Sequence, residues 1–334
     1  MLKNLTYNRY MNFRKLMIAA ALIVAATSCK DDDDDGTISP SLDGVLSIKG
    51  LPEFVLGGTT LTLEPEGVTH PEGEELGYYW KVTPTRPEAC TTKVYNITFT
   101  DTLQTCTVYC NAFAEGYTGT SLTSYVTVVK GGKDGSIKGI DFPDDNISTA
   151  DGTYYYKTIG TQTWLVNNVA EKSSGKAYRD EDVMSDVLGR YYNYDEAVAV
   201  CDGLSTDGMK WELPTIDDWN TLFDYVAQSK AGAKSVAAAL MADATFNGMT
   251  MWEYETPVGD ITNGSGFSAI PVGYANLATV TFDGVYEYAA FWSATTADKD
   301  NEAYSVYLLF DNPSTSMGAR DKGSFGASVR CIRK

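Results

Sequence analysis

Between residues 45 and 130, runs rich in β-branched and aromatic residues recur at short intervals: Val45–Ile48, Thr60–Leu63, Leu76–Val82, Val94–Phe99, Thr105–Cys110 and Thr123–Val129. Gly57-Gly58, Pro71-Glu72-Gly73 and Glu115-Gly116 punctuate them. Runs this short, bounded by turn formers, predict strands and not helices. Strands must pair to satisfy their backbone groups, and several of them in about 85 residues predict a small β-sandwich. His70, in Thr69-His70-Pro71, is expected in an exposed turn.

The pattern changes after a polar stretch. Lys130-Gly131-Gly132-Lys133-Asp134-Gly135 and Asp144-Asp145-Asn146 have the composition of a flexible linker, so a domain boundary is expected between 131 and 150. Further on, Thr215 followed three residues later by Asp218 reads as a helix start of the capping-box kind. Trp219, Leu222, Phe223 and Val226 then form an apolar stripe at i, i+3, i+4 and i+7. Ala-rich Lys234–Met241 predicts another helix, and Tyr304–Phe310 and Ala327–Ile332 predict strands. The C-terminal part is therefore α+β, with two or three helices.

Charge narrows the functions. The chain has 26 Lys+Arg against 44 Asp+Glu, a formal charge of −18, and a single histidine. Nucleic-acid binding needs clustered cations, so no nucleic-acid partner is expected. One histidine excludes His-rich zinc sites and leaves His-dependent catalysis without material. No cofactor or metal is expected. Asp298-Lys299-Asp300-Asn301-Glu302 begins like a calcium loop, but Ala303 and Leu309 stand where that loop needs Gly and Glu, so a solvated turn is the better reading.

Residues 1–28 contain Lys3, Arg9, Arg14 and Lys15, no acid, and the apolar run Met17–Ala26. That run is too short to span a bilayer and suits a signal-peptide core. Small residues then lead to Cys29, which Lys30 and Asp31–Asp35 follow. This arrangement resembles the lipobox and surface-export signal of Bacteroides-type lipoproteins. The resemblance implies a lipid on Cys29, anchorage in the outer membrane and display at the cell surface, with residues 29–44 as an acidic tether. Removing residues 1–28 takes away four cations and no acid, moving the charge from −18 to −22.

Trp80 and the segment Thr107–Tyr117, with its Ala-x-Ala-x-Gly-Tyr ending, resemble bacterial immunoglobulin-like or PKD-like modules. Export permits disulfides. Cys106 and Cys110 are four residues apart on one strand, about 13 Å, too far to bridge each other. Cys90 is therefore expected to pair with one of them. The resemblance favours Cys110 and leaves Cys106 as a buried thiol.

The C-terminal motifs are more specific. In order they are Asp151–Trp164 with Asn167-Asn168, Gly189-Arg190-Tyr191-Tyr192-Asn193-Tyr194, a short helix ending Ala197–Cys201, and Trp211–Trp219. Gly266-Phe267-Ser268-Ala269, Gly273-Tyr274, Phe291–Thr295 and Ser328-Val329-Arg330-Cys331 complete the series. Together they resemble the Fibrobacter succinogenes major paralogous domain over residues 151–334. The resemblance implies a C-type-lectin-like fold and a whole-domain disulfide between Cys201 and Cys331. The expected architecture is thus multidomain, an all-β immunoglobulin-like sandwich (45–130) followed by an α+β C-type-lectin-like domain (151–334).

The calcium-binding sugar motifs of such lectins, Glu-Pro-Asn or Gln-Pro-Asp with Trp-Asn-Asp, do not occur in residues 150–334. Leu213-Pro214-Thr215 with Trp219 also resembles the formylglycine-generating sulfatase-modifying enzymes, which need a reactive cysteine pair near the C-terminus. Only Cys331 lies there. The expectation is a non-catalytic binding protein, recognising a glycan or a surface protein. A structural component of a surface assembly is one alternative, and an enzyme of the sulfatase-modifying kind is a second, less favoured one. The long loop region near 245–290 supplies the candidate ligand residues Trp252, Tyr254, Asp260, Asn263, Tyr274, Tyr286, Glu287 and Tyr288. Tyrosines in strand-rich proteins also fill cores, so one or two of these are expected to touch ligand.

Overall fold

The structure, a computed structural model, describes residues 39–205, 208–229, 232–253 and 255–333. The leader, Cys29, Asp31–Asp35 and Tyr254 lie outside the described residues. The chain divides into two compact units, one ending at Val128 and the other beginning at Val129. Among the described residues no helix is long and apolar enough to cross a membrane.

The first unit is all strand: β1 (Asp43–Lys49), β2 (Phe54–Leu56), β3 (Thr60–Thr69), β4 (Gly77–Thr83), β5 (Arg86–Cys90), β6 (Tyr95–Thr98), β7 (Thr105–Phe113) and β8 (Thr120–Val129). They form two sheets, ordered β1-β3-β6 and β2-β8-β7-β4-β5. Alternation places Tyr78, Trp80 and Val82 of β4 inside, while Tyr79 and Lys81 face out. Leu63 and Ile97 from one sheet share a core with Trp80, Val108 and Val126 from the other. The Trp80 indole donates to the Thr92 carbonyl at 3.0 Å, so its one polar atom is satisfied.

Three expectations are corrected here. The Cys90–Cys110 bridge is absent: Cys90, Cys106 and Cys110 are free thiols. The reason is strand order. β4 lies between β5 and β7, and Trp80 stands opposite both Cys90 and Cys110. The two cysteines are therefore two strand spacings apart, about 10 Å, beyond disulfide reach. His70 is buried, its ring 4.5 Å from that of Tyr117 and its Nδ1 accepting from the Glu72 N–H. Residues 131–150 are no free linker either. They carry β9 (Ile137–Lys138) and β10 (Asn146–Ser148), both paired within the second unit, because Ile137 and Ile147 bury their side chains there.

The rest of the second unit is built from β11 (Thr153–Ile159), β12 (Gln162–Leu165), β13 (Lys176–Ala177), β14 (Arg190–Tyr191), α1 (Tyr194–Gly203), α2 (Ile216–Ser229), α3 (Val236–Leu240), β15 (Thr245–Phe246) and β16 (Met249–Thr250). β17 (Val272–Asn276), β18 (Thr281–Val285), β19 (Tyr288–Thr296), β20 (Glu302–Leu309), β21 (Ser316–Asp321), β22 (Phe325–Gly326) and β23 (Ile332–Arg333) follow. The main sheet runs β18-β17-β19-β20-β21, with β22 also on β17. A second sheet runs β10-β11-β12-β23. Residues 327–332 form no single strand: between β22 and β23, Ala327 and Ser328 make isolated bridges to Tyr192 and Phe291.

α2 starts as its sequence requires. Asp218 accepts from the Thr215 N–H and hydroxyl, and the Thr215 hydroxyl accepts from the Asp218 N–H. Its stripe of Trp219, Leu222, Phe223 and Val226 packs on Trp164, Phe267 and Phe291. α1 packs Ala197, Val200 and Cys201 against Trp292 and Ala290. At its end Cys201 is bridged to Cys331, with a Cα–Cα distance of 5.5 Å.

A candidate binding face on the main sheet

Cross-strand partners share a sheet face, so the register of the main sheet sorts its side chains into two sets. Phe291, Val306 and Leu308 face α2 and α3. The other face carries Tyr288, Ala290 and Trp292 of β19, opposite Leu309, Tyr307 and Ser305 of β20. Ser305 and Ala303 stand in turn opposite Gly318 and Arg320 of β21. α1 covers this face at its Trp292 end. Tyr274, Tyr288 and Leu309 at the other end are only half-buried, as is Phe325 between Tyr274 and Trp292.

These side chains form a continuous aromatic strip. The Tyr274 ring lies 6.2 Å from Tyr288 and 5.5 Å from Phe325. Phe325 lies 6.4 Å from Tyr307 and 5.4 Å from Trp292, which meets Tyr194 at 5.8 Å. A glycine makes room for the Tyr288 ring: a Cβ on Gly284 would sit 2.2 Å from Tyr288 Cδ2. Another sets the strand spacing. Gly273 has φ +69°, and a Cβ there would meet the Asp283 carbonyl oxygen at 2.0 Å.

The strip is edged by polar groups. The Tyr274 hydroxyl donates to Asp283 Oδ2 at 3.2 Å. Burial, reinforced by Asp283, pushes the Tyr274 pKa up, and burial with Glu287, Asp311 and Asp283 does the same for Tyr288. At neutral pH both therefore keep their hydroxyl protons. At the other end, exposed Arg320 lies 5.2 Å from the Tyr307 ring centre and 5.6 Å from that of Phe325. Its Nε donates to the Tyr307 hydroxyl at 2.6 Å and its Nη1 to the Ala319 carbonyl at 3.1 Å. Lys322 lies 5.1 Å from the Tyr194 ring and donates to the Asp300 carbonyl.

Of the sequence-derived candidates, the structure brings together Tyr274 and Tyr288, with Glu287 acting electrostatically on Tyr288. Trp252 is in the core under the opposite face, its indole donating to the Ala269 carbonyl. Exposed Asp260 pairs with Lys234 at 3.6 Å. Asn263 is a loop brace, accepting from the Ser268 N–H and donating to its hydroxyl. Tyr286 is buried, and burial raises its pKa strongly. Phe325, Tyr307 and Arg320 went unread in the sequence. They converge only through sheet register, and nothing in their local spacing signals it.

A cleft of about 450 Å³ lies elsewhere in the unit, lined in part by Asp151, Tyr155, Asn167, Lys172 and Asp186. Its polar groups answer one another. Lys172 pairs with Asp186 at 3.1 Å, and its N–H donates to Asp151 at 2.8 Å. Asn167 accepts from the Tyr155 N–H and donates to the Thr153 carbonyl. Among the described residues no cluster of three or more His, Cys, Asp or Glu is placed to hold a metal ion. Cys331, which chemistry of the sulfatase-modifying kind would need as a reactive thiol, is half of a disulfide.

Residues 158–333, just over half of the chain, match the model of a family described as the Fibrobacter succinogenes major domain. No curated protein matches the chain. Among solved structures, the Yersinia pseudotuberculosis adhesin InvE aligns over 88% of this chain and 70% of its own at 12% identity, with a TM-score of 0.26, a likeness too loose to argue from.

Proposed function

Since the chain belongs to the Fibrobacter succinogenes major domain family, we propose that it is a non-catalytic surface recognition protein whose family domain binds a glycan through the open aromatic strip of its main sheet. The observation that carries this reading is the half-exposed row of Tyr288, Tyr274 and Phe325 with Asp283 at its side. Sugar rings present apolar C–H faces and a rim of hydroxyls. Aromatic faces take the first, and carboxylates and tyrosine hydroxyls take the second. The half-exposed rings of Tyr274, Tyr288 and Phe325 leave room for a saccharide to lie against them.

The leader, Cys29 and Asp31–Asp35 support a lipid anchor in the outer membrane with the body outside the cell. In chain order, an immunoglobulin-like spacer then precedes a lectin-like recognition domain. The acidic body keeps such a protein soluble and off anionic surfaces.

The purified protein on a glycan array tests the binding reading. Binding is expected, and Tyr274→Ala is expected to weaken it at least tenfold without changing the melting temperature by more than a few degrees. An array with no binder removes the reading. Protease treatment of intact cells tests the location, and full protection of the protein would place it inside the outer membrane.

A further inference from the structure

The aromatic strip has two chemically different ends, and the difference specifies a ligand class. Asp283, Glu287 and Asp311 surround the Tyr274–Tyr288 end. Arg320 and Lys322 edge the Tyr307–Phe325–Tyr194 end. Neither cation pairs with a carboxylate among the described residues. Arg320 bonds a tyrosine hydroxyl and a carbonyl, and Lys322 bonds a carbonyl. Elsewhere in the unit Lys157, Lys172, Lys176, Arg190, Lys210, Lys234 and Lys299 are ion-paired, whereas Lys130, Lys133, Lys138 and Arg333 make no ion pair among the described residues.

Its geometry is also prepared. The Nε–H is engaged by Tyr307 and one Nη1–H by Ala319, which holds the guanidinium over Phe325. The remaining N–H groups, one on Nη1 and two on Nη2, form an end-on fork. A planar fork of this kind matches a carboxylate and orients it.

Resting on the reading that this face binds glycans, we infer that the preferred ligand is an acidic saccharide, one whose sugar carboxylate docks on Arg320 while a neighbouring ring lies on Phe325 and Tyr274. Hydroxyls of that neighbouring ring reach Asp283. Lys322 adds attraction without geometry. The rest of the molecule is acidic and disfavours anions, so the orientation of such a ligand is set by this one end of the strip.

Paired ligands that differ only in charge test it. The purified protein is titrated with trigalacturonate and its methyl ester, and with 3′-sialyllactose and its methyl ester. In at least one pair the acid is expected to bind at least tenfold tighter, and the preference is expected to fade as salt rises from 0.05 to 0.5 M through screening of an exposed contact. Arg320→Gln is expected to erase the preference. Arg320→Lys, which keeps charge but not the fork, should retain part of it. Lys234→Gln, an equal loss of charge away from the face, should leave it unchanged. Equal affinity for acid and neutral partners, with binding still lost in Tyr274→Ala, overturns the inference and leaves the glycan reading standing. Binding to no saccharide removes both. The comparison in the unaltered protein decides the matter even if the Arg320 variants fold poorly.

Discussion

The Arg330 guanidinium donates to the Phe267 carbonyl at 2.8 Å and lies 5.0 Å from the centre of the same residue's ring. It also donates to the carbonyls of Ser268 and Leu165 and to Asn168 Oδ1, and Phe291 lies 5.6 Å away. The side chain is fully buried, with no carboxylate partner among the described residues. Oxygen dipoles and two ring faces stand in for a counter-ion. Burial pulls its pKa down to about 9, still well above neutral, so the group is a cation at pH 7. It ties the 265–268 loop to β12 and to the chain beside Cys331.

Arg330→Met removes these donors and leaves several buried oxygens without them. The expected cost is on the order of 3 kcal/mol, measured by denaturant unfolding. Arg330→Lys should be nearly as costly, because one ammonium cannot reach oxygens spread around a planar group. A loss below about 1 kcal/mol in both variants would contradict this account.

Asp321 sits at the end of β21, next to the strip. Its carboxylate accepts from the Ser324 N–H and hydroxyl, the Gly323 N–H and Asn301, and these bonds hold its pKa at about 2, below the ordinary 3.8. A depressed folded-state pKa stabilises above the unfolded value and loses that contribution as pH falls through the folded one. The effect is therefore complete above pH 3.8 and fades toward pH 2. Asp321→Asn should lower the melting temperature at pH 7, with the gap to the unaltered protein narrowing between pH 4 and pH 2.

The Cys201–Cys331 bridge closes a loop with a sequence separation of 130. In the chain-entropy model such a closure stabilises by about 5 kcal/mol. Cys201→Ala with Cys331→Ala is expected to lose up to that amount, and reduction of the unaltered protein should reproduce the loss. If the reduced and oxidised proteins unfold at the same denaturant concentration, the bridge has no such role.

Thiol labelling checks the unbridged first unit. In native protein Cys90, half-buried, should react, while Cys106 and Cys110 stay silent in the core. Burial pushes the Cys110 thiol up to about 12, so it has almost no thiolate at neutral pH. In denaturant without reductant all three should label. Only one label there would mean that Cys90 is bridged after all.

The sequence carried its local instructions clearly. The alternation of β4, β7 and β8, the stripe and cap of α2, and the strand at β20 are all readable, because each is a relation between residues a few positions apart. Phe54–Leu56 and Arg86–Cys90 were not readable. One is only three residues long, and the other contains Pro87 and two charges; both are strands through the partners they meet. Ile137 and Ile147, isolated in a polar stretch, likewise became strand residues because the second unit offered them a core.

By itself, the sequence determined most of the segments that extend or form helices, and the acidity of the chain. The tertiary structure decided neighbourhood. It placed Trp80 between Cys90 and Cys110, so that no bridge can form, and sent Trp252 to the core while leaving Tyr274 at the surface. It also brought Phe325, Tyr307 and Arg320 onto one sheet face from three different strands. Local propensity acts over a few residues of backbone. Strand order and register are set by how whole elements bury their apolar faces together, and no short stretch of sequence contains that information.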